Sequence, residues 1–246
     1  MIGLGSISHE GNDTLGRRPE FRSTLMMTRL MPKLKSIAAQ ATALLLALTL
    51  SLTPALACQE EAMLVFDASG SMSMARGGLP KIDIAREAAA DVLPDLTRSR
   101  PTGLVTYGGE YGQGCRGVSL RLPPMPGSGE LIIGELASLQ PSGSTPLTEA
   151  VWRATLALKN SGKPGTVVLV TDGKENCGYN ACHFGQQMAL GAKNIKVHVI
   201  GFYLHANAET NVACLAKKTG GTYTSVNGLE ELKEALKKTL ACPRIS

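Results

Sequence analysis

The sequence predicts a doubly wound α/β domain: a mostly parallel sheet with one antiparallel edge strand and helices on both faces. Three observations carry that expectation. Short apolar runs alternate with stretches of helical spacing, the pattern of a sheet covered by helices. Thr166 to Val170 is a continuous β-branched and apolar run, as required of a strand buried on both sides. Gly103 to Tyr107 and Val118 to Leu122 flank a Gly-rich turn and read as a hairpin, which makes one edge antiparallel.

Taken in order, Ala62 to Phe66 is the first strand. Ile82 to Leu96 follows as a helix, with Ile84, Ala85, Ala88, Ala89, Val92 and Leu93 on one face. After the hairpin, a helix over Gly129 to Leu139 leads into the turn Ser142-Gly143-Ser144-Thr145, and Pro146 is suited to open the helix Leu147 to Lys159. The buried strand Thr166 to Val170 precedes a helix over 181–191, a strand Lys196 to Phe202 and a helix Glu209 to Lys218, which the pair Gly220-Gly221 can cap. A short strand Thr222 to Ser225 and a helix Leu229 to Leu240 complete the series.

Ahead of this domain stand two segments of other character. Residues 1–25 are polar and without period, and are expected to be a disordered leader or an over-long start, with Met26, Met27 and Met31 as alternative starts. Residues 26–57 have the layout of a signal peptide: basic Arg29, Lys33 and Lys35, an apolar stretch, then Ala55-Leu56-Ala57 before Cys58. The apolar stretch is almost long enough to be a membrane anchor, but Pro54 and the small-x-small ending favour cleavage near Ala57. Lipidation of Cys58 is disfavoured because Ala55 stands where a bulky aliphatic residue is usual. The chain is therefore expected to be exported, periplasmic or secreted, with residues 58–246 as one domain and any membrane contact confined to the targeting segment.

Of the 25 basic and 20 acidic residues, 19 and 17 lie after Ala57, so the formal charge of +5 belongs mostly to the leader. A near-neutral domain gives no reason to expect nucleic-acid binding. All six cysteines, 58, 115, 177, 182, 214 and 242, fall after Ala57, an even number suited to disulfides in an oxidising compartment. Cys58 precedes the first strand and Cys242 follows the last helix, so a bridge between them would close almost the whole domain. Structural zinc on Cys177, Cys182 and His183 is the sharper alternative, although zinc knuckles usually show two close ligand pairs.

The chemistry gathers where strands end. Asp67-Ala68-Ser69-Gly70-Ser71 follows the first strand, Asp172-Gly173 follows the run Val167 to Thr171, and Thr145 lies in the hydroxyl-rich turn between them. Ligands of doubly wound sheets collect beyond the carboxyl ends of the strands at the point where strand order reverses, so the aspartates converge if their strands are neighbours there. Two carboxylates and three hydroxyls suit a hard cation such as Mg2+. The direct shell would be mostly neutral hydroxyls, which leaves a coordination position for an acidic group from outside. Asp-x-Ser-x-Ser alone is weak evidence, because these residues crowd into turns for backbone reasons; order, spacing and strand-end placement of all three parts strengthen it.

On these residues the chain resembles the von Willebrand factor A domain family, with its Rossmann-like fold and metal-ion-dependent adhesion site. That site is an Asp-x-Ser-x-Ser turn with a distant Thr and a distant Asp, matched by Asp67, Ser69, Ser71, Thr145 and Asp172. Asp172-Gly173 followed by Glu175 also looks like the family's fourth-strand ending. The resemblance spans most of residues 60–240. It implies a Mg2+-dependent interaction domain, with Mn2+ or Ca2+ as substitutes, in which the Asp or Glu of a protein partner completes the coordination. It also implies that the two serines and the threonine bind directly while the aspartates often act through water. Lys174 and Glu175 flank the site and are candidates for tuning partner choice. Cys115, Cys177, Cys182 and Cys214 could all lie near the metal end; among their three connectivities, Cys182 with Cys214 and Cys115 with Cys177 is preferred.

Other readings are weaker. A Mg2+-dependent phosphoryl-transfer hydrolase of the haloacid dehalogenase type would use Asp67 as nucleophile, but needs a second aspartate where Ser69 stands. A serine hydrolase needs a Gly-x-Ser-x-Gly elbow, and Ser69 lacks its first glycine. The chain is accordingly read as a non-enzyme. A structural module that never uses its metal is the remaining alternative. Trp152 and His198 read as packing residues, and His205 has no partner in sequence that would give it a role.

Overall fold

The computed structural model describes residues 58–109 and 114–242, all within the unit Ala55–Ser246. The leader and targeting segment expected over 1–57 lie outside the described residues. Strand β1 (Glu61–Ala68) is buried at every position, because its neighbours cover both edges and helices cover both faces. It runs two residues past its apolar core, so Asp67 is inside the strand rather than beyond it. A 3-10 turn (Gly70–Ser73) and a two-residue hairpin, β2 (Ala75–Arg76) with β3 (Leu79–Pro80), follow, and neither is predicted by periodicity. Helix α1 (Lys81–Ser99) then crosses back, longer than predicted despite Pro94 inside it.

Strand β4 (Thr102–Gly108) pairs parallel to β1, and β5 (Val118–Met125) pairs antiparallel to β4 as the predicted edge. Helices α2 (Gly129–Ser138) and α3 (Leu147–Lys159) carry the chain over the sheet to β6 (Gly165–Thr171), which pairs with the other side of β1. Helix α4 (Ala181–Gly191), strand β7 (Ile195–Phe202), helix α5 (Ala206–Lys218), strand β8 (Tyr223–Val226) and helix α6 (Leu229–Leu240) complete the winding. The sheet order is β5-β4-β1-β6-β7-β8, parallel except at β5.

Strand alternation divides the core. Ala62, Leu64 and Phe66 of β1 pack with α1, α2 and α6, while Met63 and Val65 pack with α3, α4 and α5. Helix α5 ends as predicted at its glycines: Gly220 has φ +74°, and the N–H of Gly221 donates to Ala216 O at 2.9 Å, closing the last turn. From β1 the chain first builds outward through β4 and then returns to β6 on the opposite side. The order therefore reverses between β1 and β6, where Phe66 pairs with Val170 and both aspartates follow.

Candidate metal centre

The site begins with the way β1 ends. Asp67 is fully buried, and its Oδ1 accepts the Ser69 backbone N–H at 2.8 Å, which bends the chain into the turn carrying Ser69 and Ser71. Its Oδ2 accepts the Thr171 hydroxyl at 2.8 Å and the Asp172 N–H at 3.4 Å, so the same carboxylate also fixes the end of β6. Tyr107 Oη lies 2.9 Å from Thr171 Oγ1 and extends the network into β4. Burial pushes the Asp67 carboxyl up to about 6; the charge of Asp172 adds to this, while hydrogen bonds from Ser69 and Thr171 oppose it. Burial also pushes the Tyr107 phenol well above its ordinary value, helped by Asp67.

Ser69 Oγ and Ser71 Oγ lie 3.2 Å apart, and the Ser71 hydroxyl donates to Asp172 Oδ1 at 2.6 Å. Thr145 arrives from the turn before α3. That turn hangs on the end of β1: Ser142 N donates to Ala68 O at 3.0 Å and Gly70 N to Gly143 O at 3.2 Å. Gly108 lets the end of β4 lie close against the same strand end, since at φ +74° a Cβ there would lie 2.5 Å from the Ala68 backbone. Asn176 Oδ1 then accepts Thr145 N–H at 2.7 Å, tying the turn to the loop after β6. A Cβ built on Gly173 would stand 3.5 Å from Thr145 Oγ1 and 3.8 Å from Ser71 Oγ, so both hydroxyls border the same side of Gly173. All five residues singled out in the sequence thus converge.

One participant was not anticipated. Lys81, the first residue of α1, is 1% exposed, and its ammonium is ion-paired with Asp172 Oδ2, both side chains being almost wholly buried. Asp172 Oδ2 has no hydrogen-bond partner, so this ion pair is its counter-charge. Thr171, Tyr107 and Asn176 were also missed. Lys81 alone left a clue: a cation in the first turn of a helix opposes the macrodipole and calls for an anion nearby.

The flanking charges behave differently from each other. Lys174 is exposed. Glu175 accepts Thr148 N–H and Cys177 N–H, each at 2.8 Å, so its carboxylate caps α3 and folds its own loop. Trp152 meets Phe184 edge-to-face at 6.3 Å but stays 39% exposed, a partial packing role. His198 is satisfied by Thr222, and His205 lies exposed at the start of α5.

The cysteines form Cys58–Cys242, Cys115–Cys177 and Cys182–Cys214, with Cα separations of 5.6, 5.5 and 4.9 Å. This is the preferred pairing. It removes the zinc alternative, because none of the six is left as a thiol. Three disulfides suggest an extracytoplasmic location. Among the described residues no helix is long and apolar enough to cross a membrane.

The converged donors are all oxygens, which fits a hard divalent cation and not a soft one. Among the described residues no three His, Cys, Asp or Glu side chains cluster to hold a metal, so a cation here depends on the serine and threonine hydroxyls. The carboxylate of Asp172 already stabilises one positive charge, that of Lys81.

Residues 62–175 match the family of von Willebrand factor type A domains. An uncharacterized protein of Bacillus subtilis (strain 168), YwmD, is 27% identical over 205 residues, covering 78% of this chain and 92% of YwmD. Among solved structures, the SpRpn10 VWA domain superposes with a TM-score of 0.59 at 13% identity, covering 76% of this chain and 99% of that domain. The pilus adhesin SpaC of Lactobacillus rhamnosus GG gives 0.56 at 16% identity, covering 74% of this chain but only 30% of SpaC. Residues 62–175 thus match the von Willebrand factor type A family, and the six-stranded sheet with its single antiparallel edge has the same fold as the SpRpn10 VWA domain.

Proposed function

We propose that the domain is a non-enzymatic, metal-dependent binding module. In this reading Asp67, Ser69, Ser71, Thr145 and Asp172 hold Mg2+, with Mn2+ or Ca2+ as substitutes, and the Asp or Glu of a protein partner completes its coordination. The observation that carries the reading is the convergence, at the switch point, of two serine hydroxyls 3.2 Å apart with Asp172 Oδ1 2.6 Å from one of them. A mostly neutral donor set leaves a bound cation electrophilic toward an outside carboxylate. Resemblance to a pilus adhesin is in keeping with a binding role. Phosphoryl transfer through Asp67 fits less well, because both its oxygens accept hydrogen bonds and the residue is fully buried. The protein acts, in this reading, outside the cytoplasm, periplasmic or secreted after cleavage near Ala57, with residues 58–246 as its single domain.

Calorimetry with Mg2+ tests this directly. Wild type should give saturable heat, Asp67→Ala none, and Ser71→Ala at least about tenfold weaker binding with an unchanged near-UV circular dichroism spectrum. Absence of metal-dependent heat in the folded wild type would overturn the reading. The Lys81–Asp172 pair is the one observation that favours a structural module instead, since an ammonium could serve in place of a cation.

A further inference from the structure

Lys81 is where the structure goes beyond a set of metal donors. Its side chain is 2% exposed and that of Asp172 is fully buried, so their ion pair is shielded from water. The pair is delivered by local structure: the hairpin of β2 and β3 returns the chain to Met74, whose carbonyl accepts the Lys81 N–H at 3.0 Å, and α1 starts there. An ammonium at a helix N-terminus is disfavoured by the dipole, so the Asp172 carboxylate must supply the compensation. Asp172 is thereby divided, with Oδ1 on the Ser71 hydroxyl and Oδ2 on the Lys81 ammonium.

We propose that Lys81 is a built-in competitor for the cation and sets the charge of the loaded site. This rests on the metal-dependent reading above. Asp67 and Asp172 alone would offset the formal charge of a divalent cation, so an outside carboxylate would be drawn by the under-coordinated cation without any net positive charge to add to it. With Lys81 present, the two aspartates, the lysine and a divalent cation sum to one positive charge, which a single carboxylate neutralises. Lys81 therefore lowers affinity for the cation and raises the affinity of the loaded site for an acidic ligand. Repulsion between buried like charges and attraction between unlike ones are both strong where water is excluded. The two effects have opposite signs, which separates this role from a structural one.

Lys81→Met in the mature protein is the test. Electron paramagnetic resonance of free Mn2+ should show binding about tenfold tighter in Lys81→Met than in wild type, with Lys81→Arg close to wild type. Acetate, followed through the water relaxivity of bound Mn2+, should displace bound water at several-fold higher concentration in Lys81→Met. Equal or weaker Mn2+ binding in a folded Lys81→Met, or unchanged acetate competition, overturns the role of Lys81 and leaves the metal reading standing. If neither wild type nor Lys81→Met binds Mn2+, the metal reading itself falls and takes this one with it. Should Lys81→Met fail to fold, 15N-lysine spectra of wild type decide. The Lys81 ammonium resonance, assigned by its loss in Lys81→Arg, should move as Mg2+ saturates the site, and an unmoved resonance overturns the proposal.

Discussion

His198 shows how far a single titrating side chain is fixed by its neighbours. It sits half-buried in β7, and its Nδ1 accepts the Thr222 N–H at 3.1 Å with Thr222 Oγ1 at 2.8 Å. Burial lowers its pKa, the charges of Arg100 and Lys196 lower it further, and Glu60 opposes them. A histidine with a depressed folded pKa takes up its proton more readily when unfolded. Its contribution to stability is therefore intact above the unfolded value of about 6.5 and is lost as pH falls through it. Urea midpoints measured from pH 8 to pH 5 should fall more steeply for wild type than for His198→Gln, whose amide oxygen can still accept from Thr222; parallel curves would refute this. The same scale marks what was legible in the sequence. Asp67 and Asp172 were readable because each follows an apolar run, and Ser69, Ser71 and Thr145 because they stand in recognisable turns. Lys81 left only the clue of a cation opening a helix, and the anion it calls for could not be named, since Asp172 is distant in sequence and brought near only by the fold.

At the scale of elements, the start of α3 joins the two halves of the site. Its N-cap is Pro146, which offers no side-chain hydrogen bond, and the helix instead relies on Glu175 from the loop after β6. The carboxylate lies at the positive end of the helix dipole and also accepts Cys177 N–H, so it couples the Thr145 turn to the Asp172 loop. Read from sequence, Glu175 was a charge for tuning a partner, because nothing local reveals that the cap of one helix comes from another loop. Glu175→Gln keeps one acceptor and loses the charge. Denaturant unfolding should show it less stable by about 1 kcal/mol, the loss shrinking at high salt. A Glu175 acting only on a partner would leave stability unchanged. Helices α3, α4 and α6 match their predicted spans; α3 and α6 each bury one apolar stripe, and Asn180 caps the start of α4. The short hairpin of β2 and β3 was invisible for the opposite reason: two-residue strands have no period to read.

Over the whole molecule the two ends of the sheet have divided tasks. Cys58 lies just before β1 and Asp67 six residues into it, roughly 20 Å along the strand, so the Cys58–Cys242 bridge and the candidate metal centre stand at opposite ends of the sheet. At the bridge end Arg100, 2% exposed, donates to Ala241 O and Thr166 Oγ1 and pairs with Glu60, holding the last helix to the start of the sheet. At the other end Cys115–Cys177 ties the loop after β4 to the loop after β6, next to Asp172. Bridges act chiefly by restricting the unfolded chain, and the Cys58–Cys242 loop spans 184 residues against 62 for Cys115–Cys177. Replacing Cys58 and Cys242 by serine should therefore cost about 2–5 kcal/mol in denaturant unfolding while leaving Mg2+ affinity unchanged. Replacing Cys115 and Cys177 should cost no more stability and should weaken Mg2+ binding, because it frees the loop whose Asn176 holds the Thr145 turn. Calorimetry on both double variants separates the two outcomes. A loss of metal affinity on removing Cys58–Cys242 would show that the two ends are coupled, contrary to the division of tasks inferred from their separation.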